Sequence, residues 1–159
     1  YAVSHMLIMP LIALMVFSFT LNQPFWTAPG MFMLYAWVGF FVTFNWEISR
    51  KIRAPEQERD GIDTYTRIFG TYGAGWVVIL VRVVDTALVA VVGWHLALPV
   101  WFYVVLGLLF LVCLGGFLHY RMHTTPKTAA RMEVYAGMYI IAFDLTLACA
   151  LVAKYGYAW

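Results

Sequence analysis

The hydrophobic positions of this chain form five long, nearly continuous segments that are separated by polar connections. Each segment is close to the ~20 residues that an α-helix needs to cross about 30 Å of hydrocarbon. A backbone in lipid must satisfy its own hydrogen bonds, so apolar runs of this length predict helices. We therefore predict an all-α integral membrane bundle of about five transmembrane helices, with residues 1–159 in one domain. The predicted helices cover residues 2–21, 31–46, 74–94, 99–120 and 132–153, and a polar loop covers residues 47–71.

Composition indicates that lipid, rather than water, is the solvent of these segments. The chain has 159 residues, of which 64% are hydrophobic and 11% are charged, whereas soluble domains carry about 25% charged residues. The apolar runs lack the apolar/polar alternation of β-barrel strands, which disfavours a barrel. No nucleic-acid-binding signature is present, and the expected partner is a lipid bilayer.

The basic residues predict an orientation. Lysines and arginines are concentrated in residues 47–71 and 121–131, and none occurs in the turns at residues 22–30 and 95–98. Basic loops face the cytoplasm, which predicts a cytoplasmic N-terminus and an external C-terminus, as in a bacterial inner membrane. Aromatic residues concentrate at membrane interfaces. The predicted outer belt contains Trp26, Trp94, Tyr155, Tyr157 and Trp159, and the predicted inner belt contains Tyr120.

Acidic and basic side chains alternate in the polar loop. Glu47, Arg50 and Lys51 share a helical face by their spacing, Pro55 ends that helix, and further carboxylates follow. Carboxylate oxygens suit Mg²⁺ that bridges to substrate phosphates, and basic side chains clamp the same phosphates. The alternative is a solvated loop that contains internal ion pairs.

Two stretches carry a resemblance to a known family. The residues of one stretch are Glu47-Ile48-Ser49-Arg50-Lys51-Ile52-Arg53-Ala54-Pro55-Glu56, with Gly61 and Asp63-Thr64-Tyr65-Thr66 after them. Together with the opening run at residues 4–12, it resembles a divergent branch of the UbiA-type intramembrane prenyltransferases. Those proteins have nine transmembrane helices and an acidic loop after the sixth. The resemblance implies that this chain corresponds to their C-terminal half.

The resemblance also implies roles for residues of the loop. It implies an isoprenoid diphosphate held with Mg²⁺, with Glu47, Glu56 and Asp60 as metal ligands. The implied contacts to the diphosphate are Arg50, Lys51, Arg53 and Tyr65.

The sequence departs from the family pattern in two places. Lys51 follows Glu47 where the family has a second acid, and the family's first acidic motif is absent. We therefore expect the chain to be inactive in prenyl transfer unless a separate N-terminal half joins it, and we suspect that sequence precedes Tyr1. The alternative is a non-catalytic accessory transmembrane subunit of a larger respiratory or photosynthetic complex.

Several polar residues fall inside the apolar segments. Arg82, Asp85 and Asp144 have similar predicted depths, so we expect Arg82 to pair with one of the two acids inside the bundle. A structural ion pair is the preferred interpretation, and ion or proton movement is the alternative. His119 and His123, with His5 near the same face, have the chemistry to bind haem or a chlorophyll-type pigment. We favour hydrogen bonding at the interface for these histidines.

Overall fold

The computed structural model describes residues 2–156, and these residues form helices joined by turns and loops, with no strand among them. The predicted belt residues Tyr157 and Trp159 lie outside the described residues. The helices are α1 (Ala2–Met6), α2 (Ile8–Leu21), α3 (Gly30–Arg50), α4 (Tyr65–His95), α5 (Val100–Met122) and α6 (Pro126–Tyr155), and single 3-10 turns cover Phe25–Thr27 and Pro55–Gln57.

Five helical spans in the described part of the chain are long and apolar enough to cross a membrane. The predicted all-α membrane bundle is thereby confirmed, and the protein is an integral membrane protein. The first span, Val3–Leu21, contains both α1 and α2. The helix is interrupted at Leu7, three residues before Pro10. Pro10 has no N–H to donate to the carbonyl of Met6, four residues back, and its ring crowds that carbonyl.

Four of the helices form the core of the bundle. Helix α3 packs on α4, α4 on α5, α5 on α6, and α6 returns to α3, while α1 and α2 pack against α3. Fully buried side chains such as Val78, Phe102 and Phe117 fill the centre. Helix α2 leaves most of its apolar side chains exposed, as expected for a helix whose outer surface is covered by lipid.

Two helices begin earlier than the sequence pattern predicts. Helix α4 begins at Tyr65 rather than near residue 74, because the Thr64 side chain caps it by accepting a hydrogen bond from the Arg67 N–H. Gly70 interrupts its regular geometry with a φ of 70°, a value that glycine adopts without steric cost. Helix α6 begins at Pro126 after its Thr125 cap. The polar connection is consequently shortened to residues 51–64.

The two ends of the bundle differ in charge. One end, the charged end, contains the C-termini of α3 and α5 and the N-termini of α4 and α6, with all lysines and arginines except Arg82 and Lys154. At the opposite end, Trp26, Trp94 and Tyr155 are exposed. The assignment of Tyr120 to an aromatic belt is wrong. Its ring is completely buried, and its hydroxyl donates to the Arg53 carbonyl at 3.1 Å.

Candidate functional site

The connection between α3 and α4 is folded by its own side chains. Glu58 accepts hydrogen bonds from the hydroxyls of Thr64, at 2.7 and 2.8 Å, and of Thr66. Thr66 Oγ1 in turn accepts from the Arg53 N–H at 3.2 Å. These contacts join the beginning of the connection to the first turn of α4. Tyr120 adds a bond from α5 to the Arg53 carbonyl, so the connection is anchored to the bundle.

This folded connection forms one wall of an open pocket of about 780 Å³ at the charged end, here called the charged pocket. Its lining residues are Arg50, Lys51, Arg53, Glu56, Gln57, Arg59, Ile62, Asp63, Thr64 and Glu133. Four basic side chains line it together with three acidic ones. The basic side chains supply N–H donors of the kind that bind a phosphate-bearing group.

A second cavity, here called the apolar groove, lies beside the charged pocket and has a volume of about 480 Å³. It is lined by Val3, Phe44, Ile48, Lys51, Asp63, Thr64, Tyr65, Ile68, Phe69 and Val77. Three of these residues, Lys51, Asp63 and Thr64, also line the charged pocket. A polar cavity and an apolar one therefore lie side by side and share part of their wall, an arrangement that suits an amphiphilic ligand.

The structure places Glu47 in an ion-pair cluster. Its side chain is 1% exposed, and its carboxylate lies 2.5 Å from Arg50 Nε and 2.7 Å from Lys51 Nζ. Both basic residues line the charged pocket, whereas Glu47 does not. Glu47 therefore influences the pocket indirectly, by fixing the positions of the Arg50 and Lys51 side chains. A carboxylate that is already paired with two cations is a poor ligand for a metal ion.

The other two carboxylates of the implied metal site are also separated from Glu47. Glu56 lines the charged pocket, and Asp60 is fully exposed and lies 3.7 Å from Arg67 Nη2. Within residues 2–156, no group of three or more His, Cys, Asp or Glu side chains is arranged to hold a metal ion. Glu47, Glu56 and Asp60 are not brought together as one set of ligands in the described residues, so we derive no step through a metal.

The implied phosphate contacts are brought together more closely than the implied metal ligands. Arg50, Lys51 and Arg53 all line the charged pocket. Arg53 has a second task, because its Nη1 donates to the carbonyls of Arg50 and Ile52 at 2.8 and 2.9 Å and so stabilises the C-terminal end of α3. Tyr65 lines the apolar groove instead.

Six residues of the charged-pocket lining were not among the predicted site residues: Gln57, Arg59, Ile62, Asp63, Thr64 and Glu133. Glu133 was not singled out because it lies on α6, far along the chain from the polar loop. The Thr125-Pro126 pair, a helix cap followed by proline, signals the start of α6, but the local sequence does not indicate which side of the bundle Glu133 faces. Arg59 was counted only as a basic loop residue. It is exposed and lines the pocket.

The intramembrane ion pair forms between Arg82 and Asp85. Arg82 Nη1 donates to Asp85 Oδ2 at 2.8 Å, and Nη2 donates to Asn45 Oδ1 on α3 at 2.7 Å. The Arg82 guanidinium also lies over the Tyr139 ring on α6, 3.6 Å from its centroid. All four side chains are at most 1% exposed. The network therefore connects α3, α4 and α6 in the middle of the bundle.

The remaining polar candidates lie elsewhere. Asp144 does not join the Arg82–Asp85 pair, and it is exposed on the outer surface of α6. The rings of His119 and His123 lie 5.0 Å apart near the end of α5, away from the charged pocket and its lining residues.

At the charged end, basic side chains line a polar pocket, an apolar groove lies beside it, and the buried carboxylate of Glu47 is paired with two of those basic side chains. Comparisons of this chain with protein-family models, with curated proteins and with solved structures found no match.

Proposed function

We propose that this protein binds an isoprenoid diphosphate, or a lipid with the same kind of head group, at the cytoplasmic surface of a membrane. The diphosphate occupies the charged pocket, and the isoprenoid tail lies in the apolar groove. The supporting observation is that the two cavities lie side by side and share Lys51, Asp63 and Thr64 in their lining. A ligand that crosses this boundary has its charge among basic side chains and its tail among apolar ones.

The proposed activity is binding without prenyl transfer by this chain alone. In prenyl transfer the diphosphate leaves the isoprenoid chain as an anion. The family resemblance implies that a metal ion held by carboxylates neutralises the charge of that leaving group. The pairing of Glu47 with Arg50 and Lys51 at 2.5 and 2.7 Å speaks against such a site. Basic side chains alone hold a diphosphate as a bound group. We retain the UbiA-like relationship as part of this proposal, on the strength of the residue pattern in the loop.

Binding is tested with purified protein in lipid nanodiscs and with farnesyl diphosphate as the probe, in the presence of a chelator. We expect farnesyl diphosphate to bind, and farnesol and inorganic diphosphate each to bind at least about tenfold more weakly, since each occupies only one cavity. Native mass spectrometry or a fluorescence titration measures the affinities. Equal affinity for farnesol and farnesyl diphosphate would contradict the assignment of the charged pocket.

A pair of variants locates the head group. Arg59→Gln removes an exposed basic side chain that lines the charged pocket, and we expect about tenfold weaker binding of farnesyl diphosphate because a charge-assisted hydrogen bond is lost. Lys127→Gln removes the same charge from the same end of the bundle, outside the pocket lining. We expect it to leave the affinity unchanged. If both variants weakened binding equally, the ligand would be attracted by the overall positive charge of this end and not bound in the charged pocket.

The second candidate function is that of an accessory transmembrane subunit in a larger complex. It is favoured by the same pairing of Glu47 and by the lack of a metal-binding group in the described residues. The two candidates separate in the titration described above. A protein that binds no farnesyl diphosphate in nanodiscs would leave the accessory role as the better proposal.

A further inference from the structure

Asp144 is a carboxylate in the middle of a membrane-spanning helix. Along α6 it lies about 16 Å from Glu133 and about 15 Å from Lys154, the nearest charged residues on either side, at ~1.5 Å per residue. Its side chain is exposed on the surface of the bundle. The side chain therefore lies at a depth where the bilayer supplies hydrocarbon rather than water.

No hydrogen bond or ion pair from residues 2–156 reaches the Asp144 carboxylate. The basic residue at a comparable depth, Arg82, is fully buried and already bonded to Asp85 and Asn45. An unpaired charge at the bilayer centre costs several kcal/mol, and such residues in membrane proteins pair with another group. The described residues therefore supply no partner for this carboxylate, and a partner group has to come from outside residues 2–156.

Asp144 faces a cleft between α2, α3 and α6, here called the mid-membrane cleft, with a volume of about 360 Å³. From Phe32 to Thr43 the cleft follows α3 for about 16 Å, or three helical turns. Ala13, Ala36 and Gly39 belong to its lining. A methyl group added at Gly39 would meet only Met9, at 4.0 Å. Small residues of this kind permit another helix backbone to approach closely.

We infer that the mid-membrane cleft is the docking site for a transmembrane helix of another protein, and that this helix carries a lysine or arginine that pairs with Asp144. We choose this occupant because a basic side chain is complementary in charge to the Asp144 carboxylate. A lipid tail offers no partner for a carboxylate. A second copy of this chain offers none either, because its lysines and arginines other than Arg82 lie near the helix ends. The inference does not depend on the lipid-binding proposal, since the cleft and the charged pocket share no lining residue.

The test uses the chain in phosphatidylcholine vesicles with a synthetic transmembrane helix made of leucine and alanine. One version of this peptide has a lysine at its centre, and the other has leucine there. Cys149, which is exposed on α6 about 140° around the helix from Asp144, carries a fluorescent donor, while Cys113 is buried. The peptide carries the acceptor. Energy transfer then measures association as a function of the peptide-to-lipid ratio.

We expect the lysine peptide to associate with the wild-type chain and to associate about tenfold more weakly with Asp144→Asn, which keeps the size of the side chain and removes its charge. The leucine peptide should associate weakly with both. Thr146→Val, which alters a polar residue on α6 outside the cleft lining, should behave as wild type. Gly39→Leu, which fills the cleft and leaves Asp144 intact, should also weaken association.

Three results would overturn the inference. The first is equal association of the lysine and leucine peptides with the wild-type chain, or no association of either. The second is normal association of Gly39→Leu, which would place the contact outside the cleft. The third is energy transfer between donor- and acceptor-labelled copies of the chain that is lost in Asp144→Asn, which would identify a second copy as the occupant. Circular dichroism shows whether each variant retains its helices.

Discussion

Individual charged residues in the membrane-spanning helices occupy two kinds of environment. Glu47, Arg82 and Asp85 are buried, and each has an oppositely charged partner three or four residues away on its own helix. Asp144 is exposed and has no such partner in the described residues. Since a buried charge is tolerated only when it is paired, the first three residues stabilise the bundle from within. Asp144 has its partner, in our proposal, on a helix outside the described residues.

The Arg82–Asp85 pair is expected to contribute strongly to stability when it is broken from one side. Asp85→Leu leaves the buried Arg82 guanidinium without its carboxylate, and we expect the free energy of unfolding to fall by about 3–5 kcal/mol. The double variant Arg82→Leu/Asp85→Leu removes both charges and should be less destabilised than Asp85→Leu alone. Unfolding in detergent mixtures, followed by circular dichroism, measures these differences.

Lys127→Gln is the control for this comparison, because it alters an exposed charged residue at the end of the bundle. We expect its free energy of unfolding to remain within about 0.5 kcal/mol of the wild-type value. If the double variant were as unstable as Asp85→Leu, the loss would come from packing around residue 85 rather than from an unpaired charge.

Residue-level predictions from the sequence succeed where the partners are close in the chain. Similar predicted depths left Asp85 and Asp144 as possible partners of Arg82, and the structure selects Asp85, which lies three residues away on the same helical face. The contacts of Arg82 with Asn45 and Tyr139 involve three different helices. Spacing contains no information about such contacts, since they depend on how the helices are rotated against one another.

At the scale of the helices, the five spans follow from hydrophobicity alone, but their ends follow from capping. Thr64 and Thr125 start α4 and α6 several residues before the apolar runs begin. A hydropathy pattern registers the apolar part of a helix and not its polar first turns. Glu133 lies on α6 with either helix start, so its place in the charged pocket depends on how α6 packs and not on where α6 begins.

Helices α5 and α6 pack closely at Gly116. A methyl group at this position would overlap the Tyr135 ring of α6, whereas one at the neighbouring Gly115 would meet open space. We expect Gly116→Ala to lower the free energy of unfolding by about 1–3 kcal/mol, because an overpacked contact forces the two helices apart. Gly115→Ala should be neutral or stabilising by up to about 1 kcal/mol, since alanine is the better helix former.

The same unfolding measurement compares these two variants, which differ by one position on one helix. A loss of stability in Gly115→Ala equal to that in Gly116→Ala would show that the chain responds to alanine in this turn of α5 generally. The close contact with Tyr135 would then not be the cause.

At the scale of the whole molecule, the chain separates its chemistry by position along the membrane normal. Basic residues, the charged pocket and the folded connection lie at one end, and an ion-paired network lies in the middle. The opposite end presents exposed tryptophan and tyrosine side chains. There, Lys154 near the end of α6 donates a hydrogen bond to the Leu96 carbonyl in the turn between α4 and α5. A ligand that binds the charged pocket therefore approaches from one side of the membrane only, which makes orientation the decisive property for the proposed function.

Orientation is expected to follow the distribution of basic residues, with the charged end in the cytoplasm. Two matched cysteine reporters test this expectation. Gln57→Cys lies in the exposed connection at the charged end, and Gln23→Cys lies in the exposed turn at the opposite end. In intact bacterial cells, a sulfonated maleimide that does not cross membranes should label the residue 23 reporter. It should label the residue 57 reporter only after the cells are permeabilised. The reverse pattern would place the charged pocket outside the cell, beyond the reach of a cytoplasmic isoprenoid diphosphate, and would remove the basis of the proposed function while leaving the helical bundle unchanged.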